Sequence, residues 1–265
     1  VVCCVATAKR AGFTRVIGFD MGGTSTDVSH YDGELERTLE TEVAGVRIRA
    51  PMMHIHTVAA GGGSIAWVSK AGLLEVGPQS AGASPGPACY GKGGTEPTIT
   101  DAVAVLGLIG HSALGYSAVQ LDVAAAREAV GLLAAQLGAG GEETAASILE
   151  LSVSAMYADA SGLISRFGLD ARAFRLLAFG GAGPMLACFL SRELNTAGVV
   201  VPPTPGVLSA LGGLVADLRG DFIRTVYATI QPGVETLLRD ALAAMRRDAT
   251  AWLVEEQGFV GRPTL

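Results

Sequence analysis

Charged residues are scarce in this sequence, and basic ones are fewer than acidic ones. Only 17% of the 265 residues are charged, and 19 Lys and Arg against 25 Asp and Glu give a net charge of -6. Proteins that bind nucleic acid need clustered basic side chains to neutralise phosphates. The charge balance therefore argues against a nucleic-acid partner and favours small-molecule ligands.

Cysteine is also rare. The four cysteines, Cys3, Cys4, Cys89 and Cys188, lack the paired spacing of a metal site and are too few for a disulfide framework in a chain of 265 residues. The apolar run that opens the chain is far shorter than the roughly 18 residues that indicate a membrane span. We therefore predict a cytoplasmic protein that has no membrane partner.

Hydrophobic residues and glycine, by contrast, are abundant. Hydrophobic residues make up 49% of the chain, which is enough for a substantial core, and there are 36 glycines. The sequence opens without methionine, in what reads as the middle of a helix that ends at Gly12, and it stops without a closing signal. We therefore expect a segment of a longer protein.

Hydrophobic patterning divides the chain into four parts. Residues 14–60 predict short strands, and residues 61–97 are so rich in Gly and Pro that we predict a long ordered loop without regular structure. Residues 98–172 predict helices, and residues 173–265 predict a strand, a glycine turn and further helices. Strands followed by alternating strands and helices predict an α/β fold with a mixed sheet and flanking helices.

The most distinctive local pattern is the stretch FDMGGTSTD, which lies between two predicted strands. Glycines permit a tight turn whose backbone NH groups face an anion, and hydroxyls can bond phosphate oxygens. An acid at the end of a strand can hold Mg²⁺, usually through water. An ordinary glycine hairpin is the alternative. The candidates are Asp20 as a catalytic and metal-binding residue, and Gly22, Gly23, Thr24, Ser25 and Thr26 as a phosphate cradle.

A second glycine turn, LAFGGAGP, stands between a predicted strand and a predicted helix. The N-terminus of a helix can meet a phosphate, and glycines let a flat adenosine pass close to the backbone. Gly180, Gly181 and Gly183 are therefore candidate nucleotide-binding residues. Tight packing between the strand and the helix is the alternative explanation.

Other residues carry weaker hypotheses. His54 and His56 share one face of a predicted strand, where His56 could bind a metal or both could be ordinary polar residues. Asp101, at the start of a predicted helix, could be a second catalytic acid or a favourable charge at the helix N-terminus. Cys89 could be a nucleophile, although no histidine is near it in sequence. His111, like His30, is predicted to lie at the surface.

Five stretches, in order over residues 19–212, resemble the signature stretches of the hydantoinase A / 5-oxoprolinase family. They are FDMGGTSTDV, HTVAAGGGSIAW, VGPQSAGASPGPACYGKGG with PTITDA, LLAFGGAGP, and VVVPPTPGVLSALG. The resemblance implies an actin-like (ribonuclease H-like) nucleotide-binding fold, with ATP and Mg²⁺ as cofactors in many members. It also implies an enzyme subunit that opens cyclic amides such as hydantoin, N-methylhydantoin or 5-oxoproline.

The resemblance also implies features beyond this chain. The hairpin here resembles the second of two in the family, so we expect an upstream phosphate loop, and we expect this segment to be inactive alone. A hydantoinase B-type subunit or domain and self-association are the implied partners. A ketone carboxylase subunit and a non-catalytic nucleotide-binding scaffold are the alternatives. The chain departs from the family at His54, where relatives usually carry aspartate, and at Leu186, where they usually carry histidine.

Overall fold

The computed structural model describes residues 1–38, 40–43, 45–49, 52–109, 120–261 and 264. The chain separates into two compact units, Val1–Val215 and Ala216–Leu265. The predicted part 173–265 therefore contributes to both units. His111 lies outside the described residues.

The first unit begins with short strands and continues with alternating helices and strands. Its first half comprises α1 (Val2–Arg10), β1 (Arg15–Met21), β2 (Thr26–Asp32), β3 (Arg37–Thr38), β4 (Thr41–Val43), β5 (Val46–Ile48), β6 (Met52–Met53), β7 (His56–Val58), β8 (Ser64–Val68) and β9 (Leu74–Ser80). Its second half comprises α2 (Ile99–Val105), α3 (Val123–Leu137), α4 (Gly141–Arg166), β10 (Arg175–Phe179), α5 (Gly183–Leu194), β11 (Val199–Val200) and α6 (Leu208–Val215).

The main sheet has five strands in the order β11-β10-β1-β2-β7. β1 pairs with β2 antiparallel and with β10 parallel. Because β1 and β10 run in the same direction, the loops that follow them leave the sheet at the same edge. The sheet is mixed and helices pack on it, so the predicted α/β class is confirmed.

Alternation along β1 divides its side chains between two cores. Ile17, Phe19 and Met21 face the larger core, which they share with residues of α2, α3, α4 and α5. Val16 faces a smaller core, built with α1 and α6. Full burial stabilises each large apolar side chain by about 1.5–3 kcal/mol. Leu186 lies in the larger core with 0% exposure, so an apolar residue is well accommodated there.

Helix caps follow the sequence closely. Thr98 caps α2, and its hydroxyl accepts a hydrogen bond from the backbone NH of Asp101. Asp122 caps α3 through the backbone NH of Ala125, and Gly138 ends that helix with φ of 67°. Short polar N-caps and a left-handed glycine at the C-terminus satisfy the unpaired backbone groups of helix ends.

The Gly/Pro-rich part departs from the prediction in its first half. β8 and β9 form an antiparallel hairpin where a loop without regular structure was expected. A strand of a two-stranded sheet has a free edge, so it tolerates the Gly77-Pro78 pair that argued against a strand. Residues 81–97, all of them described, contain only a short 3₁₀ turn, Ala88–Tyr90.

His30 departs from its predicted surface position. It is 8% exposed on β2, and its ring lies 4.5 Å from that of Phe167 between centroids. It shares a sheet face with Val28, because residues two apart on a strand point the same way. Burial lowers the pKa of His30, whereas the nearby Glu36 carboxylate opposes that shift.

The second unit contains α7 (Val234–Ala251), one of the further helices predicted for residues 173–265, and a π-helical turn, Trp252–Glu256. The ring of Trp252 meets that of Phe222 edge to face, with centroids 6.0 Å apart. Across the described parts of both units, no helix is long and apolar enough to cross a membrane.

Candidate functional site

Three glycine-containing loops meet at one edge of the main sheet. The hairpin loop, residues 22–25, joins β1 to β2, and the central loop, residues 60–63, follows β7. The glycine turn, residues 180–183, joins β10 to α5. These loops come from three distant parts of the sequence, and the strand order brings them together.

The central loop lies beside the hairpin loop and is hydrogen-bonded to it. The NH groups of Gly62 and Gly63 donate to the carbonyls of the two hairpin glycines at 3.0 and 2.7 Å. The carbonyl of Gly62 in turn accepts the NH and the hydroxyl of Thr100 at 2.9 and 2.7 Å. The start of α2 therefore supports the central loop, which supports the hairpin loop.

The packing of these two loops requires glycine at position 61. A Cβ on Gly61 would lie 2.5 Å from the carbonyl carbon of Gly23 and 2.5 Å from the backbone nitrogen of Thr24. Both neighbours are backbone atoms, which cannot turn aside as a flexible side chain can. This close contact explains why the first residue of the GGG stretch is glycine.

The outer side of the hairpin loop is open. Gly23, Thr24 and Ser25 are exposed, and a Cβ on Gly23 would have no neighbour within 4 Å. A ligand can therefore approach this backbone closely, as the phosphate-cradle hypothesis requires. Gly22 is half-buried, and its NH donates to the carbonyl of Ser25 at 2.9 Å, which closes the loop.

Thr26 lies on the opposite side of this loop. Its side chain is fully buried, and its hydroxyl donates to the carbonyl of Ala60 at 2.6 Å. The hydroxyl therefore ties the hairpin to the central loop and does not face the open side. Alternation with Val28, a core residue on the same strand, was the sequence signal for this orientation.

Ser80, at the end of β9, is a neighbour of the hairpin that the sequence did not single out. Its hydroxyl lies 3.4 Å from the carbonyl of Gly23 and 3.5 Å from the hydroxyl of Thr24. It also accepts the NH of Gly82 at 3.1 Å. The loop after β9 is thereby held beside the open face of the hairpin.

Asp20 is the penultimate residue of β1 and lies directly beside the glycine turn. Its Oδ2 accepts a hydrogen bond from the hydroxyl of Ser209 at 2.5 Å. A Cβ on Gly180 would lie 2.6 Å from its Oδ1, and Gly180 has φ of +82°, so only glycine fits there. On the neighbouring strand β2, Asp27 is paired with Asp20. The carboxylate of Asp27 accepts a hydrogen bond from the hydroxyl of Thr57 at 2.7 Å.

The remaining glycines of the turn differ in exposure. Gly181 is exposed, and a Cβ there would have no neighbour within 4 Å, whereas Gly183 is buried against the carbonyl of Phe19, 3.2 Å from where a Cβ would lie. The NH of Ala182 donates to the carbonyl of Met21 at 2.9 Å. Gly181 thus offers an open backbone, while Gly183 permits close packing of the helix on the strand.

Asp101 is enclosed beneath the central loop, and its carboxylate is engaged in hydrogen bonds. It is 0% exposed, and its Oδ1 accepts the NH of Cys89 at 2.7 Å. Its Oδ2 accepts the NH and the hydroxyl of Thr98 at 2.9 and 2.8 Å, and the NH of Ala88 at 3.2 Å. The geometry fits the helix-terminus alternative, because the carboxylate completes the capping box of α2 and anchors the 3₁₀ turn.

His56 pairs with a residue of α4. Its Nε2 lies 3.3 Å from Oδ1 of Asp159, and the two side chains are 41% and 40% exposed. Among the described residues no group of three His, Cys, Asp or Glu is placed to hold a metal ion. His54 lies between β6 and β7, and its buried Nδ1 has no hydrogen-bond partner in the described part of the chain.

Cys89 does not have the surroundings of a nucleophile. It is 0% exposed, and burial, followed by the charge of Asp101, raises the pKa of its thiol far above the ordinary value. A reactive cysteine needs a lowered pKa and access to the ligand. The enclosed position and the raised pKa of the thiol therefore argue against the nucleophile hypothesis for Cys89.

Several known proteins are similar to this chain in sequence. The family model described as Hydantoinase/oxoprolinase matches residues 1–222. The chain is 38% identical over 261 residues to caprolactamase subunit alpha of Pseudomonas jessenii, a match that covers 97% of this chain and 37% of that protein. It is 40% identical over 267 residues to 5-oxoprolinase 1 of Arabidopsis thaliana, a match that covers 92% of this chain and 20% of that protein.

Two solved structures share the fold. The ATP-dependent caprolactamase from Pseudomonas jessenii superposes with a TM-score of 0.78 at 33% identity, over 99% of this chain and 38% of that one. Nucleotide-free acetone carboxylase superposes with a TM-score of 0.74 at 28% identity, over 82% of this chain and 31% of that one. The chain thus spans less than two-fifths of the length of these proteins. The family match covers both cores and all three loops, and the chain belongs to the hydantoinase/oxoprolinase family.

Proposed function

We propose that this chain forms the nucleotide-binding part of an ATP-dependent hydrolase that opens cyclic amides. The observation that carries the proposal is the convergence of the hairpin loop, the central loop and the glycine turn, with Asp20 between two of them. The names of two relatives with the same fold, caprolactamase and acetone carboxylase, state ATP dependence. These names support ATP as the nucleotide.

The residues at the sheet edge fit a nucleotide with its cation. The open backbone of Gly23, Thr24 and Ser25 would hold phosphate oxygens, and the two hydroxyls would donate to them. Oδ1 of Asp20, which accepts no hydrogen bond from a described residue, would hold Mg²⁺ through a bound water. The exposed backbone of Gly181 would lie along the nucleoside.

The nucleotide, when bound, would supply the chemical activation that a stable amide needs before water can attack its ring carbon. This chain's own residues contribute position and electrostatics. The hairpin loop fixes the phosphates by hydrogen bonds from a backbone that the central loop holds rigid, and preformed donors of this kind cost little reorganisation during reaction. His56, with Asp159 beside it, stays a predicted metal ligand, and the packing of Asp101 supports a positioning role beneath the central loop.

The substrate class is a cyclic amide, with hydantoin, N-methylhydantoin, 5-oxoproline and caprolactam as the rings to test. A relative named as subunit alpha supports a second subunit, for which a hydantoinase B-type partner is our proposal, together with self-association. The four free cysteines support a reducing, cytoplasmic location. A ketone carboxylase is the second candidate, because the acetone carboxylase fold matches with a TM-score of 0.74.

Calorimetric titration of Mg²⁺ and ATP into the complete natural protein tests the nucleotide assignment. We expect binding by the unmodified protein, and a Kd at least tenfold higher for Asp20→Ala. Asp32→Ala is the matched control, because Asp32 lies at the far end of the same strand pair, in a surface ion pair with Arg15. Absence of binding by the unmodified protein would overturn the nucleotide assignment.

Turnover then separates the two reactions. With its partner present, the protein is assayed for ATP-dependent opening of the four rings and, in parallel, for bicarbonate-dependent consumption of ketones. Ring opening supports the hydrolase, and ketone carboxylation alone would replace it with the second candidate. Nucleotide binding without either reaction would favour the scaffold alternative.

A further inference from the structure

In the part of the chain that the structure describes, the side chain of Asp20 accepts a hydrogen bond from the hydroxyl of Ser209. The two residues are 189 positions apart in the sequence. The donor is the second residue of α6, and its hydroxyl lies 2.5 Å from Oδ2 of Asp20. A hydroxyl donating to a carboxylate makes a charge-assisted hydrogen bond, which is shorter and about twice as strong as a neutral one. Both side chains have access to solvent, so burial alone does not explain why they meet.

The segment that carries Ser209 is firmly anchored. Leu208 is 2% exposed in the smaller core, and Gly212 lies close to Cys3, since a Cβ there would stand 3.4 Å from the Cβ of Cys3. Just before α6, the carbonyl of Pro205 accepts the NH of Gly180 at 2.9 Å. One segment therefore contacts both the acid at the end of β1 and the glycine turn.

This bond selects one orientation of the carboxylate. With Oδ2 held by Ser209, Oδ1 lies beside Gly180, at the edge of the sheet where the loops meet. Without the bond, the Asp20 side chain would be free to rotate between staggered conformations. A group that must hold a hydrated cation in place loses efficiency when its own orientation is not fixed.

We propose that Ser209 is a positioning residue that fixes the Asp20 carboxylate for the cation that accompanies the nucleotide. The inference rests on the proposed function, because it acts through the assignment of Asp20. A positioning role differs from a purely structural role in its effect on stability. Alanine favours helices more than serine does, so Ser209→Ala should leave α6 as stable as before, or slightly more so.

The experiment compares Ser209→Ala with Ser209→Thr in the complete natural protein. Threonine keeps the hydroxyl, and its extra methyl has room, because Ser209 lines a cavity of about 220 Å³ together with Phe179 and Gly212. Ser161→Ala is the control, since that exposed hydroxyl donates only to the carbonyl of Ala158 within its own helix.

For Ser209→Ala we expect kcat of the nucleotide-dependent reaction to fall about tenfold, which corresponds to about 1.4 kcal/mol. The concentration of Mg²⁺ needed for half-maximal rate should rise severalfold, while KM for the ring substrate changes less than threefold and the melting temperature does not fall. Ser209→Thr should recover kcat to within about threefold of the unmodified protein, and Ser161→Ala should match it. Wild-type kinetics in Ser209→Ala, or loss of activity with equal loss in Ser209→Thr, would overturn the inference.

The double variant Asp20→Ala with Ser209→Ala separates this inference from the proposed function. If Ser209 acts through Asp20, adding Ser209→Ala causes no further loss once the carboxylate is absent, because residues that act as a unit are non-additive. A further tenfold loss would show that Ser209 acts elsewhere and would contradict the inference. Full activity of Asp20→Ala alone would instead overturn the assignment of Asp20, and the Ser209 inference with it.

Discussion

The ends of β1 and α2 each present an aspartate, and the two surroundings are opposite. Asp20 is half-buried, and among the described residues its side chain accepts one hydrogen bond, from a hydroxyl of another segment. Asp101 has 0% exposure and accepts at least four hydrogen bonds, three of them from backbone NH groups. The first carboxylate keeps an oxygen for a ligand, whereas the second has both oxygens engaged.

The difference shows how one residue type serves two purposes in one fold. A buried carboxylate with several donors is stable because those donors replace its water shell. It is then unavailable to anything else. A carboxylate with one fixed oxygen and one free oxygen contributes little to folding and can bind a cation. Measurements of stability should therefore separate the two regions, and three variants test this in order of decreasing effect.

Asp101→Ala should cause the largest loss of stability. It would leave the NH groups of Ala88, Cys89 and Thr98 without their acceptor in a buried place, and each unsatisfied group costs about 1–3 kcal/mol. We expect the free energy of unfolding to fall by at least about 3 kcal/mol, or the melting temperature by roughly 6–12 °C. Thermal unfolding measures the change.

The control for that experiment is Asp122→Asn. Asp122 caps α3 with a single hydrogen bond to the NH of Ala125, and asparagine is an equally good cap. A change below about 0.5 kcal/mol is expected for this variant. A similar small change in Asp101→Ala would show that the buried network is not needed for stability, and the contrast between the two regions would fail.

Gly61→Ala should have an intermediate effect. Its Cβ would press on the backbone of Gly23 and Thr24 at 2.5 Å, so the hairpin and central loops must move apart. Overpacking of this kind costs about 1–3 kcal/mol. Nucleotide affinity, measured by calorimetry, should fall as well, because the proposed phosphate cradle would be displaced.

Gly131→Ala is the matched control. That glycine lies inside α3, and a Cβ there would have no neighbour within 4 Å. Alanine in a helix interior is about 1 kcal/mol more favourable than glycine, so stability should rise. Equal behaviour of the two variants would exclude the contact between the loops as the cause.

Asp20→Ala should have the smallest effect on stability. It removes a single hydrogen bond between partly exposed groups, so we expect a loss of at most about 1 kcal/mol. Together with the tenfold weaker nucleotide binding expected above, this result would show that Asp20 matters for binding and little for stability, whereas Asp101 matters for stability. A melting temperature that falls as far as in Asp101→Ala would place both acids in the structural class.

The sequence predicted features that depend on nearby residues. The helices of residues 98–172 were predicted from local patterns, as was the strand that runs into the turn of the FDMGG stretch. Caps and turns are determined by hydrogen bonds within a few residues, and these can be read from local patterns. The mixed sheet followed from the order of such elements.

Contacts between distant segments could not be predicted in this way. Ser209 lies in one of the five family-like stretches and Asp159 in a long helix, but no local pattern indicates their partners, and only the folded chain places them against Asp20 and His56. The high Gly and Pro content also led to the prediction of a loop where β8 and β9 form a strand pair. The free edges of a two-stranded hairpin accept residues that a central strand would not. The buried position of Thr26 could be inferred from strand alternation. The partner of its hydroxyl, the carbonyl of Ala60, could not.

The bond between Asp20 and Ser209 has a consequence for synthesis of the protein. The two residues are separated by 189 positions, and ribosomes add about 5–20 residues per second, so the donor is made roughly 10–40 s after the acceptor. During that interval the hairpin can form, but the orientation of its acid cannot be fixed. The nascent chain therefore carries the hairpin loop well before the cation site that we propose beside it can be complete.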